Sequence, residues 1–170
     1  VEDEEELWNG LKKALEGAFT QFVETRITEG ENLKKDLLAK LAAMSDIVAY
    51  IEEKSPQIIE DYKARLIEKV DELAINTQID DQRIAAEVTM YADKVCVDEE
   101  VVRLRSHIDS TIKILTEGGA VGRKLDFIVQ EMNREANTIL SKANSLIISD
   151  KGIDLKTEIE KVREQIQNIE

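Results

Sequence analysis

Cys96, Glu100, Arg103 and His107 follow one another at intervals of four, three and four, so a helix carrying them lines all four along one strip. A neutral imidazole beside a carboxylate can act as general acid or base near neutral pH or bind a metal, and His107 is the only histidine in the chain. A second strip lies in residues 122 to 144, where Asp126, Gln130, Asn133, Asn137 and Ser141 fall within about 80° of a helix circumference. They border an apolar arc of Leu125, Val129, Met132, Ala136, Ile139 and Ala143, and Arg123 and Arg134 flank them. Asparagine costs a helix roughly 0.5 kcal/mol relative to alanine because its amide competes for backbone hydrogen bonds, so its recurrence needs a reason. A third strip, Lys156, Glu160, Arg163, Gln167 and Glu170, repeats the pattern near the C-terminus.

Each strip also has a plainer reading. A lone histidine beside glutamate and arginine arises from ordinary helix pairs. An amide ridge can fix the register of packed helices, as a buried asparagine does in coiled coils. The third strip, taken alone, is a solvated face, and Cys96 is a small apolar-like residue at a helix boundary.

The elements that must position these strips are helices. Hydrophobic residues make up 42% of the 170 positions, charged residues 35% and aromatics 4%, with one proline, a balance that favours polar-faced helices over a sandwich. Apolar stripes run through Leu7, Leu11, Leu15, Ala18 and Phe22, and after Gly30 through Leu33, Leu37, Leu41, Met44, Val48 and Ile51. Ser55 and Pro56 read as an N-cap and first-turn proline opening a third helix on Ile59, Tyr62, Leu66, Val70 and Leu73. A fourth carries Ile84, Val88, Tyr91 and Val95. A fifth follows Asp98 and stops at Gly118-Gly119, the amide-rich stretch is the sixth, and Ile159, Val162, Ile166 and Ile169 mark a last one reaching the C-terminus. The expected fold is all-α, with long amphipathic helices packed as an antiparallel coiled-coil-like bundle. Stripes of this kind often close against another subunit, so a homo-oligomer is expected.

No apolar run approaches the roughly 20 residues of a membrane helix, so no membrane span is expected. The net charge of −13 opposes passive binding to nucleic acid. The charge is uneven: residues 1 to 92 hold 11 basic and 21 acidic groups, residues 93 to 170 hold 12 and 15. This divides the chain into an acidic helical region, 1–92, and a nearly balanced one, 93–170, where any polyanion site belongs, as two parts or as one continuous domain. The lone Cys96 fits a reducing compartment, and the opening "VEDEEELWNG" reads as an internal cut or processed end.

The segments "VDEEVVRLRSHI" (97–108), "GRKLDFIVQEMNREANTILSKA" (122–143) and "EIEKVREQIQNIE" (158–170), with the weaker "RITEGENL" (26–33), resemble the signature blocks of the bacterial YicC/YloC proteins, regarded as divalent-metal-dependent endoribonucleases. The resemblance implies the helical, catalytic-side region of a cytoplasmic RNA-cleaving enzyme whose N-terminal domain is missing. It implies Mg²⁺ or Mn²⁺ as cofactor and RNA as partner. Where many members carry Asp and a hydrophobic residue ahead of the Glu-Glu pair, this chain has Cys96-Val97, which shifts the metal assignment to Glu99, Glu100, Asp126 and Glu131. On this reading His107 moves protons with Glu100 and Arg103 beside it. Arg103, Arg123, Arg134 and Lys142 contact phosphates from positions beside the amide ridge, and Gln130, Asn133 and Asn137 orient the ribose or a metal-bound water. The rival is a non-catalytic assembly module whose strips set register and subunit pairing.

Overall fold

Stripes spaced three and four apart, with no strand signal to compete, dictate helices, and a computed structural model of the chain, describing residues 3–73 and 81–169, is all-α with five helices among them. They are α1 (Glu4–Leu73), α2 (Asp81–Val95), α3 (Asp98–Glu117), α4 (Gly122–Lys142) and α5 (Leu146–Ile166). Glu170 and the side chain of Leu73 lie outside the described residues. The chain divides into two compact units, Val1–Leu38 and Ala39–Glu170, so the expected boundary at 92/93 falls inside the second.

The three helices expected before residue 73 are one helix of 70 residues. Gly30 costs such a helix only about 1 kcal/mol, which its neighbours offset. Pro56 is the larger surprise, since an interior proline removes the bond to the Glu52 carbonyl at a cost of about 3 kcal/mol. Ser55 does not cap a new helix; its hydroxyl donates to the Ile51 carbonyl at 2.7 Å. Tertiary contacts hold the helix on both sides of the proline. Before it, Glu52 accepts from Arg105 of α3 and Lys151 of α5 lies over the Tyr50 ring; after it, Tyr62 stacks on Tyr91 of α2 with ring centroids 3.6 Å apart.

The bundle core of the second unit is built from Leu41, Met44, Val48 and Ile51 of α1, Val101, Leu104 and Ile108 of α3, Leu125, Met132 and Ile139 of α4, and Leu155, Ile159 and Val162 of α5. Gly118 and Gly119, at φ 74° and 96°, make the turn between α3 and α4 that side chains would resist. The two helices run antiparallel: Glu100 meets Lys142 and Arg103 meets Glu135. α5 begins at Leu146, earlier than its stripe indicated, because Gly152 lets it press on α4; a Cβ there would lie 2.6 Å from Leu140. It also ends at Ile166, before the C-terminus.

Candidate functional site

The α3–α4 seam carries charge inside the core. Glu100 stands in the buried line Val97, Leu104, Ile108, one helical step from each neighbour, and Glu135 stands in the line Ile128, Met132, Ile139 of α4. Both carboxylates are buried. An isolated buried carboxylate costs several kcal/mol, so each has a cation. Lys142 Nζ donates to Glu100 Oε1 at 2.8 Å, while Arg103 reaches Glu135 Oε1 at 3.5 Å and is bound more closely by Glu99. The neutralisation is incomplete: Glu100 Oε2 is buried without a hydrogen-bond partner among the described residues.

The remaining members of the first strip separate from this cluster. Cys96 is exposed. His107 is half-buried one turn beyond Arg103; its carbonyl accepts from Thr111 at 2.8 Å, and its ring makes no hydrogen bond to Glu100 or Arg103. The four carboxylates expected to hold a cation are not gathered. Glu99 serves Arg103, Glu100 serves Lys142, Asp126 accepts from Gln130 at 2.8 Å and Glu131 lies 3.9 Å from Arg134. Among the described residues no three acidic, histidine or cysteine side chains converge as a metal-ligand set.

The amide ridge also divides. Arg123, Gln130, Arg134, Asn137 and Ser141 are exposed along the outer face of α4, whereas Asp126 and Asn133 are half-buried. Asn133 Oδ1 is buried with no hydrogen-bond partner among the described residues, as is Arg163 Nε on the facing helix α5. Arg103 and Lys142 are not beside the ridge as expected. On the α4 wheel Lys142 and Glu135 sit at one edge of the apolar arc and Asn133 at the opposite edge, so one side meets α3 and the other does not. Of the third strip, Arg163 pairs with Glu160 at 3.7 Å and Gln167 is exposed beyond the helix end, as a mainly solvated row would be.

Electrostatic perturbation appears away from the seam, where partial burial, and then the Glu87 carboxylate it meets at 3.2 Å, push the Tyr62 phenol above the ordinary tyrosine range. Glu135 is the residue that strip-reading missed. A signal was present: it continues an apolar line at three- and four-residue steps, where a carboxylate must be buried or the line must break.

Residues 51–170 match the family described as "Endoribonuclease YicC-like, C-terminal". The chain is 41% identical over 170 residues to the "Probable endoribonuclease YicC" of Clostridioides difficile (strain 630), covering 99% of this chain and 58% of that one. It is 37% identical over 160 residues to the protein of the same name from Haemophilus influenzae (strain ATCC 51907 / DSM 11121 / KW20 / Rd), covering 94% and 55%. The chain thus spans little more than half the length of these relatives.

Proposed function

This chain belongs to the YicC-like endoribonuclease family, and from that premise we propose that it is the helical part of an enzyme cleaving RNA phosphodiesters. The observation that carries the reading is the α3–α4 pair: a buried, partly compensated charge cluster with His107 one turn away, next to a helix whose outer face presents arginines and amides. Cleavage needs a proton removed from the nucleophile, one delivered to the leaving oxygen, and stabilisation of the extra phosphate charge. His107, whose ring has no side-chain partner among the described residues, is assigned the proton transfers. Arg103, half-exposed between Glu99 and Glu135, is assigned the charge. Arg123 and Arg134 hold the RNA backbone, with Gln130 and Asn137 contacting ribose or base edges.

The divalent cation, Mg²⁺ or Mn²⁺, that the family resemblance implies finds no ready-made site among the described residues. Glu99, Glu100, Asp126 and Glu131 each already have a separate partner. Lys142 is assigned to neutralising Glu100 in place of contacting phosphate, and Asn133 to the α4–α5 side. Among the described residues no helix is long and apolar enough to cross a membrane; a cytoplasmic location agrees with an exposed free Cys96.

The test is cleavage of a labelled RNA, with and without chelator. His107→Ala should slow it by about 10²- to 10⁴-fold with an unchanged melt. Arg123→Glu with Arg134→Glu should weaken RNA binding and reduce the log–log salt slope by roughly one unit per lost phosphate contact. Full activity in all of these variants would reject the assignment.

A second reading, a homo-oligomeric assembly module packed in coiled-coil fashion, is favoured by the exposed apolar row Leu7, Leu11, Leu15, Phe19 and Phe22 of α1. Sedimentation as a monomer at all accessible concentrations would reject it.

A further inference from the structure

The outer face of α4 contains a residue that no polar-strip argument selects. Phe127 is 63% exposed, and it stands in the row Arg123, Phe127, Gln130, Arg134, Asn137, Ser141, at steps of four, three, four, three and four. All six lie within about 80° of the helix circumference. Among the described residues of 39–170, each other aromatic ring has a partner: Tyr62 and Tyr91 stack on each other, and Lys54 and Lys151 lie over Tyr50. Phe127 has none. The cations on either side are available as well. Arg123 and Lys124 make no ion pair among the described residues, and Arg134 has only a 3.9 Å contact with Glu131 at 77% side-chain exposure.

We infer that Phe127 is a base-stacking platform for single-stranded RNA, with Arg123 and Arg134 gripping the phosphates on either side of the stacked nucleotide. This rests on the RNA-cleaving reading above and names a contact within it. The chemistry selects single strands, because only an unpaired base can lay its face on an exposed ring. A protein partner fits less well. Interfaces between proteins close around a contiguous apolar core, whereas this row has a single ring set among guanidinium, amide and hydroxyl groups. Charge complementarity points the same way, since α4 presents the unpaired Arg123 and the weakly held Arg134 here on a chain of net charge −13.

The test measures binding of a fluorescein-labelled oligoadenylate, and of the same oligomer with one abasic nucleotide, by the protein and its Phe127→Leu and Phe127→Trp variants. Phe127→Leu should weaken binding about 10-fold, within the range for loss of one stacked base, and leave the salt slope unchanged because no phosphate contact is lost. Phe127→Trp should restore affinity. The abasic oligomer should bind the parent more weakly and narrow its advantage over Phe127→Leu. Equal affinity of the parent and Phe127→Leu would overturn the stacking role while leaving the RNA-cleaving reading intact. Failure of the parent to bind any RNA would overturn both. A fall in sedimenting mass on Phe127→Leu would assign the ring to a contact between copies of the chain and overturn the inference. Should Phe127→Leu not fold, the Phe127→Trp and abasic arms still decide: a tryptophan variant weaker than the parent, or no abasic effect, overturns it.

Discussion

The N-terminal unit, Val1–Leu38, and the bundle unit, Ala39–Glu170, obey the same three-and-four rhythm of apolar residues and meet opposite ends. In the first, Leu7, Trp8, Leu11, Leu15, Phe19, Phe22 and Ile27 remain exposed, Leu7 by 69%. In the second, Leu41, Met44, Leu104, Met132 and Ile159 lose essentially all contact with solvent. Periodicity states that a stripe exists and is silent on what covers it. Within the N-terminal unit a single helix cannot bury its own stripe, whereas in the second unit helices joined by connections such as 143–145 fold back and cover one another.

Deletion of core side chains is the strongest way to break this contrast. Met132→Ala or Leu104→Ala should destabilise the bundle by about 2–5 kcal/mol, the range for buried large-to-small changes. Leu11→Ala, at an equivalent stripe position of the N-terminal unit, should cost less than about 0.5 kcal/mol in the monomer. Chemical denaturation of the three variants measures both, and a large loss for Leu11→Ala would show that its stripe is covered in solution.

A charge test sharpens the same contrast from inside the bundle. Lys142→Ala strands the Glu100 carboxylate, whose second oxygen already lacks a partner, and should cost about 2–3 kcal/mol; the figure is below that for a fully buried pair because Lys142 is 31% exposed. Lys142→Ala with Glu100→Gln should recover much of the loss. A double variant no more stable than the single would mean the lysine acts through packing alone.

Glycines give a smaller pair of opposite sign. Gly152→Ala drives a methyl into Leu140 and should destabilise by about 1–3 kcal/mol, while Gly30→Ala meets open space and should stabilise its helix by about 0.5–1 kcal/mol. A thermal melt in which Gly152→Ala gained stability would contradict the packing described for α4 and α5.

The smallest expected effect is on Tyr62. Its folded pKa is raised, so the stability tied to its burial and its Glu87 contact is present below the ordinary tyrosine value, about 10, and is lost as pH rises through the folded value. Ultraviolet titration of the protein against Tyr62→Phe should reveal one phenol ionising late. No late component, or one that persists in the variant, would place the perturbation elsewhere.

The helix that carries each candidate site residue was legible because helix geometry is local. The spacing of Glu100, Arg103 and His107 fixed their shared face, and the row from Arg123 to Asn137 stands on a helix of nearly the expected bounds. Helical character, the turn at Gly118-Gly119 and the separation of α2 from α3 likewise follow from residue type and period, which act within a few residues.

Tertiary structure alone decided the rest. The pairing of Lys142 with Glu100 joins residues 42 apart, and that of Arg103 with Glu135 joins residues 32 apart, through the docking of two helices, which no one-helix wheel contains. Continuity through Pro56 depended on contacts from α2, α3 and α5 that outweigh a broken backbone bond. The same docking split the amide ridge, leaving Gln130 and Asn137 in solvent and Asn133 half-buried, because which edge of an apolar arc becomes an interface is set by the position of its neighbour and not by the residues of the arc.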